Sequence, residues 1–216
     1  PDWTGGISNT FSYRSLSLSF LIDASVGGSI FSNTNKTGKY TGVLANTLSG
    51  RDAEHGGLWY YTDAMGNNVR LPESPSYSVS SDGLYYAQVN GQSTRVYQDG
   101  IMVEGVTESG SKNEEVVSAE KYYHRIYSIA EANVYDASYV KLREVALSYR
   151  LPRLWTQKLH LQEASVTLTG RNLWTIYKSV PNIDPESALT TGNAQGVEAY
   201  SLPTTRSFGV NLSVKF

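Results

Sequence analysis

"SFGVNLSVKF", residues 207–216, decides how this chain is read. Every even position carries an apolar side chain (Phe208, Val210, Leu212, Val214, Phe216), and every odd position a small or polar one (Ser207, Gly209, Asn211, Ser213, Lys215). A period of two is that of a β-strand with two unlike faces. The same texture recurs upstream. "LSLSFLID" (16–23) sets Leu16, Leu18, Phe20 and Ile22 against Ser17, Ser19 and Asp23, with Leu21 as an exception. "ISNTFSY" (7–13) places Ile7, Phe11 and Tyr13 on one face, and only Arg14 and Ser15 separate the two runs, which predicts a tight hairpin. "VALSYRL" (145–151) and "ASVTLTGRN" (164–172) alternate likewise, and Pro152 stops the first.

Composition narrows the classes. The 216 residues are 40% apolar and only 18% charged, with a formal net charge of −2. A nucleic-acid partner is not expected, because neutralising phosphates takes a clustered excess of Lys and Arg. Cysteine is absent, which excludes a disulfide framework, a zinc–thiolate site and a cysteine nucleophile. Sixteen Tyr and four Trp stand beside five Phe; rings with a polar edge suit water–lipid boundaries and sugar-binding surfaces. No run approaches the roughly 18 apolar residues of a membrane-spanning helix. A mean hydropathy of −0.33 does not exclude a membrane barrel, whose strands alternate lipid-facing and lumen-facing residues.

Three regions follow. Residues 1–30 hold two strands with a tight turn. Residues 31–138 lose the alternation and are rich in Gly, Ser, Asn, Thr and Tyr. Within them "YTGVLANTLSG" (40–50) predicts a short helix stopped by Gly50, and "LYYAQVNGQSTRVY" (84–97) a hairpin turning at Asn90-Gly91. "SAEKYYHRIYSIAEAN" (118–133) predicts a helix capped by Ser118, with Tyr122, Ile126 and Ile129 on one face. Residues 139–216 return to three strands, the last preceded by a loop at 178–206 that carries Pro181, Pro185 and Pro203.

Alternating strands fit a soluble sandwich, where the apolar face meets a core, or a membrane barrel, where it meets lipid. Three details favour the barrel. The polar faces are small (Ser, Thr, Gly, Asn) rather than rich in Lys and Glu, the connections alternate in length, and the chain ends on an aromatic, Phe216. The parity also closes. With the C-terminus on the periplasmic side, strands at 3–13, 139–151 and the last run inward, and those at 16–30 and 164–177 run outward. Short turns then fall inside and long loops outside.

Taken together, "PDWTGGISNTFSYRSLSLSFLIDASVGGSIFS", "VYDASYVKLREVALSYRLP", "VTLTGRNLWTIYKSVPNIDPE" and "YSLPTTRSFGVNLSVKF" resemble the C-terminal quarter of the SusC/RagA-like TonB-dependent outer-membrane transporters. The resemblance runs in order from Pro1 to Phe216, and Gly56–Ser111 is its least similar part. It implies an all-β fold: about the last five antiparallel strands of a 22-stranded outer-membrane β-barrel, with long extracellular loops containing short helices and a hairpin. It implies import of oligosaccharides or peptides with a SusD-like lipoprotein lid, energised by the TonB complex through an N-terminal region. It also implies contact with the rest of the barrel, with its plug and with the lipid bilayer. Five strands cannot close a barrel, and open edges are not tolerated in lipid. The chain is therefore expected to be a portion of a larger transporter.

No catalytic residue, cofactor or metal site is expected. His55, His124 and His160 lie far apart without ligand spacing. Asp184 and Glu186 flank Pro185, where shaping a loop is favoured over binding an ion. The rings of Trp59, Tyr60, Tyr61, Tyr85 and Tyr86 either pack the long segment against itself or, if exposed, touch a lid or a substrate, with the lid favoured. Trp155 and Trp174 suit an interfacial belt. Arg171 and Asn172 are expected on the lumen side, facing the plug, and the resemblance makes Phe216 a barrel-assembly signal. The alternative from another class is a secreted β-sandwich glycan-binding module; a glycosidase-type enzyme is disfavoured, since no carboxylate pair is tied to a cleft.

Overall fold

The turn at Arg14-Ser15 shows how closely the sequence dictates the first hairpin. Tyr13 pairs with Leu16 across the turn, and Arg14 takes a left-handed φ of 53°, as a two-residue connection between strands requires. The computed structural model describes residues 1–72, 74–158, 160–188 and 195–216. The chain is mostly β-structure. In order it forms β1 (Trp3–Tyr13), β2 (Leu16–Val26), β3 (Ser29–Ser32), helix α1 (Asn33–Tyr40), β4 (Leu58–Thr62), β5 (Asn68–Arg70) and β6 (Tyr77–Val79). Then come β7 (Tyr85–Val89), β8 (Gln92–Met102), β9 (Val116–Ser118), α2 (Ala119–Ser128), β10 (Val134–Asp136) and β11 (Tyr139–Arg150). The chain closes with α3 (Arg153–Lys158), β12 (Glu163–Lys178), β13 (Val197–Glu198) and β14 (Ser207–Lys215). No described helix is long and apolar enough to cross a membrane. Two compact units result, one of residues 1–34 and 134–216, the other of 35–133.

The first unit is built on a five-stranded antiparallel sheet ordered β1-β2-β11-β12-β14. Its register lines up the alternating residues into rows. Phe11, Leu18, Leu147, Leu168 and Val210 form one row, and Tyr13, Leu16, Tyr149, Val166 and Leu212 the next. The intervening row on the other face is Ser12, Ser17, Ser148, Thr167 and Asn211, where Ser12 meets Ser17 at 3.0 Å and Ser148 meets Thr167 at 2.8 Å, hydroxyl to hydroxyl. One face is thus aliphatic and aromatic from edge to edge, and the other is a ladder of small hydroxyls.

Neither face is a conventional core. Phe208, Val210 and Leu212 are 79%, 74% and 66% exposed, whereas a sandwich would bury such residues against a second sheet. The small buried core of this unit lies at the long-loop end instead, where Ile30, Val180 and Ile183 cluster with Tyr135 and Ala137. There β3 pairs antiparallel with β10 and parallel with β13.

The unit of residues 35–133 has its own sheet, ordered β5-β4-β8-β7-β6 with β9 added on β8. The hairpin at Asn90-Gly91 forms as expected, both residues having positive φ. Helix α2 starts at the expected cap, Ser118 Oγ accepting from the Lys121 amide at 3.3 Å. It ends at Ser128, so Ile129 is exposed rather than part of its apolar face. The helix expected at 40–50 is corrected. The helix there is α1, ending at Tyr40, and residues 45–48 form a single 3-10 turn closed by Gly50 at φ 82°. Gly38 explains the shift: a Cβ on it would lie 2.7 Å from Leu44 Cγ, so the chain doubles back against the end of α1 instead of continuing. Within the stretch 31–138, read from sequence as a long loop with local structure, residues 35–133 form a compact unit.

Candidate functional site

Charge enters the five-stranded sheet where β11 is irregular. Leu142 pairs with Ile22 and Trp174 on the apolar face, and Glu144 pairs with Leu21 and Arg171 on the polar face. Arg143 is the extra residue of a bulge against β2. That insertion switches the parity of β11, so Lys141, paired with Asp23 and Thr175, also belongs to the polar face. Lys141 Nζ donates to Asp184 Oδ1 at 2.5 Å and to Glu186 Oε2 at 2.6 Å. Arg143 donates to Asp23 Oδ2 at 2.8 Å and 3.0 Å, and makes two bonds to Glu186, one to Oε2 at 2.7 Å and a closer one to Oε1. Tyr139 adds a hydroxyl to Glu186 Oε1 at 2.9 Å.

Every carboxylate oxygen of Asp184 and Glu186 is engaged. Asp184 Oδ2 accepts from the Thr204 amide at 3.1 Å and its hydroxyl at 2.5 Å, while Oδ1 also takes the Glu186 amide at 3.1 Å. Burial opposes ionisation of both acids, but the bonds from Lys141 and Thr204 hold Asp184 well below the usual carboxylate range. Those from Arg143, Lys141 and Tyr139 hold Glu186 at about 2. Two cations and a set of amides and hydroxyls occupy the lone pairs a metal ion would need. This favours loop-shaping over ion binding for these acids. The network fixes residues 184 and 186 against β11.

The residues singled out from sequence fall in different places. Arg171 lies on the polar face with Nε 3.0 Å from Glu144 Oε2, and Asn172, at φ 51°, sits where β12 is irregular and donates to the Thr205 carbonyl at 3.2 Å. Trp174 and Trp155 are both exposed. Phe216 is exposed just past the end of β14. Of the two alternatives for the aromatic run, packing of the segment against itself applies to Trp59 and Tyr60, which are 6% and 4% exposed. Trp59 stacks on Tyr77 at 5.1 Å and meets Tyr85 edge-on at 5.7 Å, in a core with Ala87 and Val96 that also takes in Tyr61. Tyr60 stacks on Tyr97 at 5.1 Å and donates to Asp99 at 3.2 Å. Burial, then the charge of Asp99, pushes the Tyr60 hydroxyl far up. Trp59 and Tyr60 are consecutive in the five-residue strand β4 and so point to opposite faces of its sheet, and both are buried. Tyr86, half-buried, remains outside that cluster.

The histidines stay apart. His55 Nδ1 is 2.8 Å from Asp52 Oδ1, His124 stacks on Tyr40 at 4.1 Å, and His160 has a φ of 55°. Among the described residues no group of three or more His, Cys, Asp or Glu could hold a metal ion.

Sequence reasoning missed Lys141 and Arg143 as partners of the two loop acids. A signal existed: both occupy odd positions of β11, the apolar parity of Val145, Leu147 and Tyr149, and such a break in phase marks a bulge.

No family model matches the chain. Over 94 residues it is 34% identical to TonB-dependent receptor P3 of Formosa agariphila, an alignment covering 41% of this chain and 9% of that protein. Among solved structures it is similar to a structure of the RagAB peptide transporter, with a TM-score of 0.49 and 18% identity over 99% of this chain and 17% of the other. It is also similar to the RagAB peptide importer in its 'open-open' state, with a TM-score of 0.47 and 17% identity over the same shares of the two chains. The chain thus spans about a tenth of the curated relative and about a sixth of the solved chains. The sequence likeness supports a relationship to TonB-dependent receptors.

Proposed function

We propose that this chain is part of the wall of an outer-membrane β-barrel in a TonB-dependent importer that takes up oligosaccharides or peptides together with a SusD-like surface lipoprotein. The observation that carries the reading is the two-faced sheet, with apolar rows exposed on one side and small hydroxyls on the other. Strands of 11, 11, 12, 16 and 9 residues suit the 9–11 or so needed to cross a bilayer at a tilt. Trp3 and Tyr13, at opposite ends of β1, are about 33 Å apart along the strand, or about 25 Å of height at a tilt of about 40°. That is the height of an apolar band flanked by two aromatic girdles. The likeness to a TonB-dependent receptor agrees with it.

In this reading the apolar face meets lipid and the hydroxyl face lines a lumen, where Arg171 and Asn172 contact the plug. The unit of 35–133 lies outside the membrane, with Tyr86 left available to the lid. Phe216 serves barrel assembly. The chemistry is transport, not bond cleavage, and the reading needs no cofactor. The test is fractionation of the native source, with peptides of this sequence followed by mass spectrometry. They are expected in the outer-membrane fraction, soluble only with detergent. Recovery in a detergent-free soluble fraction would instead put the secreted glycan-binding module first.

A further inference from the structure

The segment after β12 carries three of the chain's seven prolines, Pro181, Pro185 and Pro203, and its sequence reads as a loop. The structure gives its two arms, 179–188 and 195–206, a different character. On the first arm Val180 and Ile183 are buried against Ile30 as apolar pegs. Lys178 Nζ donates to the Ile183 carbonyl at 2.7 Å, and the cation pair Lys141–Arg143 holds Asp184 and Glu186 from below. On the second arm Glu198 is fully buried. Its carboxylate accepts from Ser32 Oγ at 2.7 Å, Thr34 Oγ1 at 2.5 Å, the Thr34 amide at 3.4 Å and the Ser201 amide at 3.2 Å. Tyr200 N donates back to Thr34 Oγ1 at 3.0 Å, and Phe31 N to the Gly196 carbonyl at 2.7 Å. Asp184 ties the arms to each other through Thr204.

We infer that residues 179–188 and 195–206 form a strap with two separate carboxylate clasps, one on Lys141 and Arg143 of β11 and one on Ser32 of β3 and Thr34 of α1, and that it stays shut rather than acting as a lid. Opening it would break the four hydrogen bonds that Glu198 accepts and the ion pairs of Asp184 and Glu186 with Lys141 and Arg143, and would expose Val180 and Ile183 to water. Hydrogen bonds to charged groups and buried apolar contacts that must be given up together raise the free energy of local opening. The strap holds whichever reading of the sheet's apolar face is correct, since each of its contacts lies within one unit.

Hydrogen–deuterium exchange of the native full-length protein, read with residue-level fragmentation in mass spectrometry, tests it on the amides of Glu186, Ser187, Ser201 and Thr204. All four are expected to exchange about 100-fold slower than in an unstructured peptide. Glu198→Gln should speed Ser201 by about tenfold and leave Glu186 and Ser187 unchanged. Free-peptide rates at these amides in the wild-type protein would overturn the strap, with no variant needed. Equal loosening of all four amides in Glu198→Gln would overturn the separateness of the clasps.

Discussion

Lys141 Nζ and Asp184 Oδ1 meet at 2.5 Å, with side chains 3% and 8% exposed, across 43 residues of sequence. The pair joins a strand of the sheet to the segment that crosses its end, and it exists because the β11 bulge at Arg143 turns Lys141 to the polar face. Removing the cation alone leaves a buried carboxylate uncompensated. Lys141→Met is therefore expected to lower stability by about 3–5 kcal/mol, and replacing Lys141, Asp184 and Glu186 together with apolar residues should recover most of that loss. Urea unfolding of the full-length protein checks both. A loss below about 0.5 kcal/mol for Lys141→Met would mean the pair is loosely held.

Acid should release the strap, and neutral pH should not. Glu186 has an ordinary carboxyl value of 4.5 and is held at about 2 in the fold. Asp184 and Glu198 shift in the same direction, Glu198 because its bonds to Thr34 and Ser32 outweigh its burial. A depressed carboxyl contributes its full stabilisation above the unfolded value and loses it as the pH falls toward the folded one. Protection of the Ser201 and Thr204 amides is thus expected to be constant from about pH 8 to about pH 5 and to decline below about pH 4.5. Exchange measured across that range, corrected for the intrinsic pH dependence, gives the answer; a decline centred near neutrality would implicate another group.

The two faces of the sheet should respond oppositely to charge. Leu168 stands in the middle apolar row and Thr167 in the adjacent hydroxyl row. Leu168→Arg is expected to cost about 2–4 kcal/mol in a bilayer, while Thr167→Arg should cost less than half as much. Folded and unfolded fractions in lipid vesicles, separated by heat-modifiable gel mobility, measure the difference.

Trp59 is predicted to act through packing. Trp59→Ala should destabilise the 35–133 unit by about 3–5 kcal/mol and make it protease-sensitive. Tyr86→Ala, outside the aromatic cluster, should leave protease resistance intact. If Tyr86 serves a lid, the same variant weakens lipoprotein capture; unchanged capture would remove Tyr86 from that role.

The sheet was legible because its signal is local and repeats every two residues. All five of its strands, the Arg14-Ser15 turn and the antiparallel order are written in alternation and loop length. In the 35–133 unit the Asn90-Gly91 hairpin and the Ser118-capped helix were legible, but its sheet was not. "LWYYT" of β4 does not alternate, because both of its sides are packed, and β8 carries Arg95 and Asp99 within a strand of 11 residues. Helix α1, "NTNKTGKY", has almost no apolar stripe, so its helicity comes from context and left no periodic trace. Aromatic residues alone do not reveal whether they face a partner or a core. Trp59 and Tyr60 have the composition of a binding surface and the position of a core.

The alternation along β14 offers the most direct test of the membrane reading. Spin labels placed one at a time at 208–214 in the full-length protein, reconstituted in lipid, report accessibility to oxygen in the bilayer and to a water-soluble nickel chelate. The account predicts oxygen access at the even positions, Phe208, Val210, Leu212 and Val214, and a drop at each odd position between them. Even positions reached by the nickel chelate, or shielded from both reagents as in a sandwich core, would contradict it.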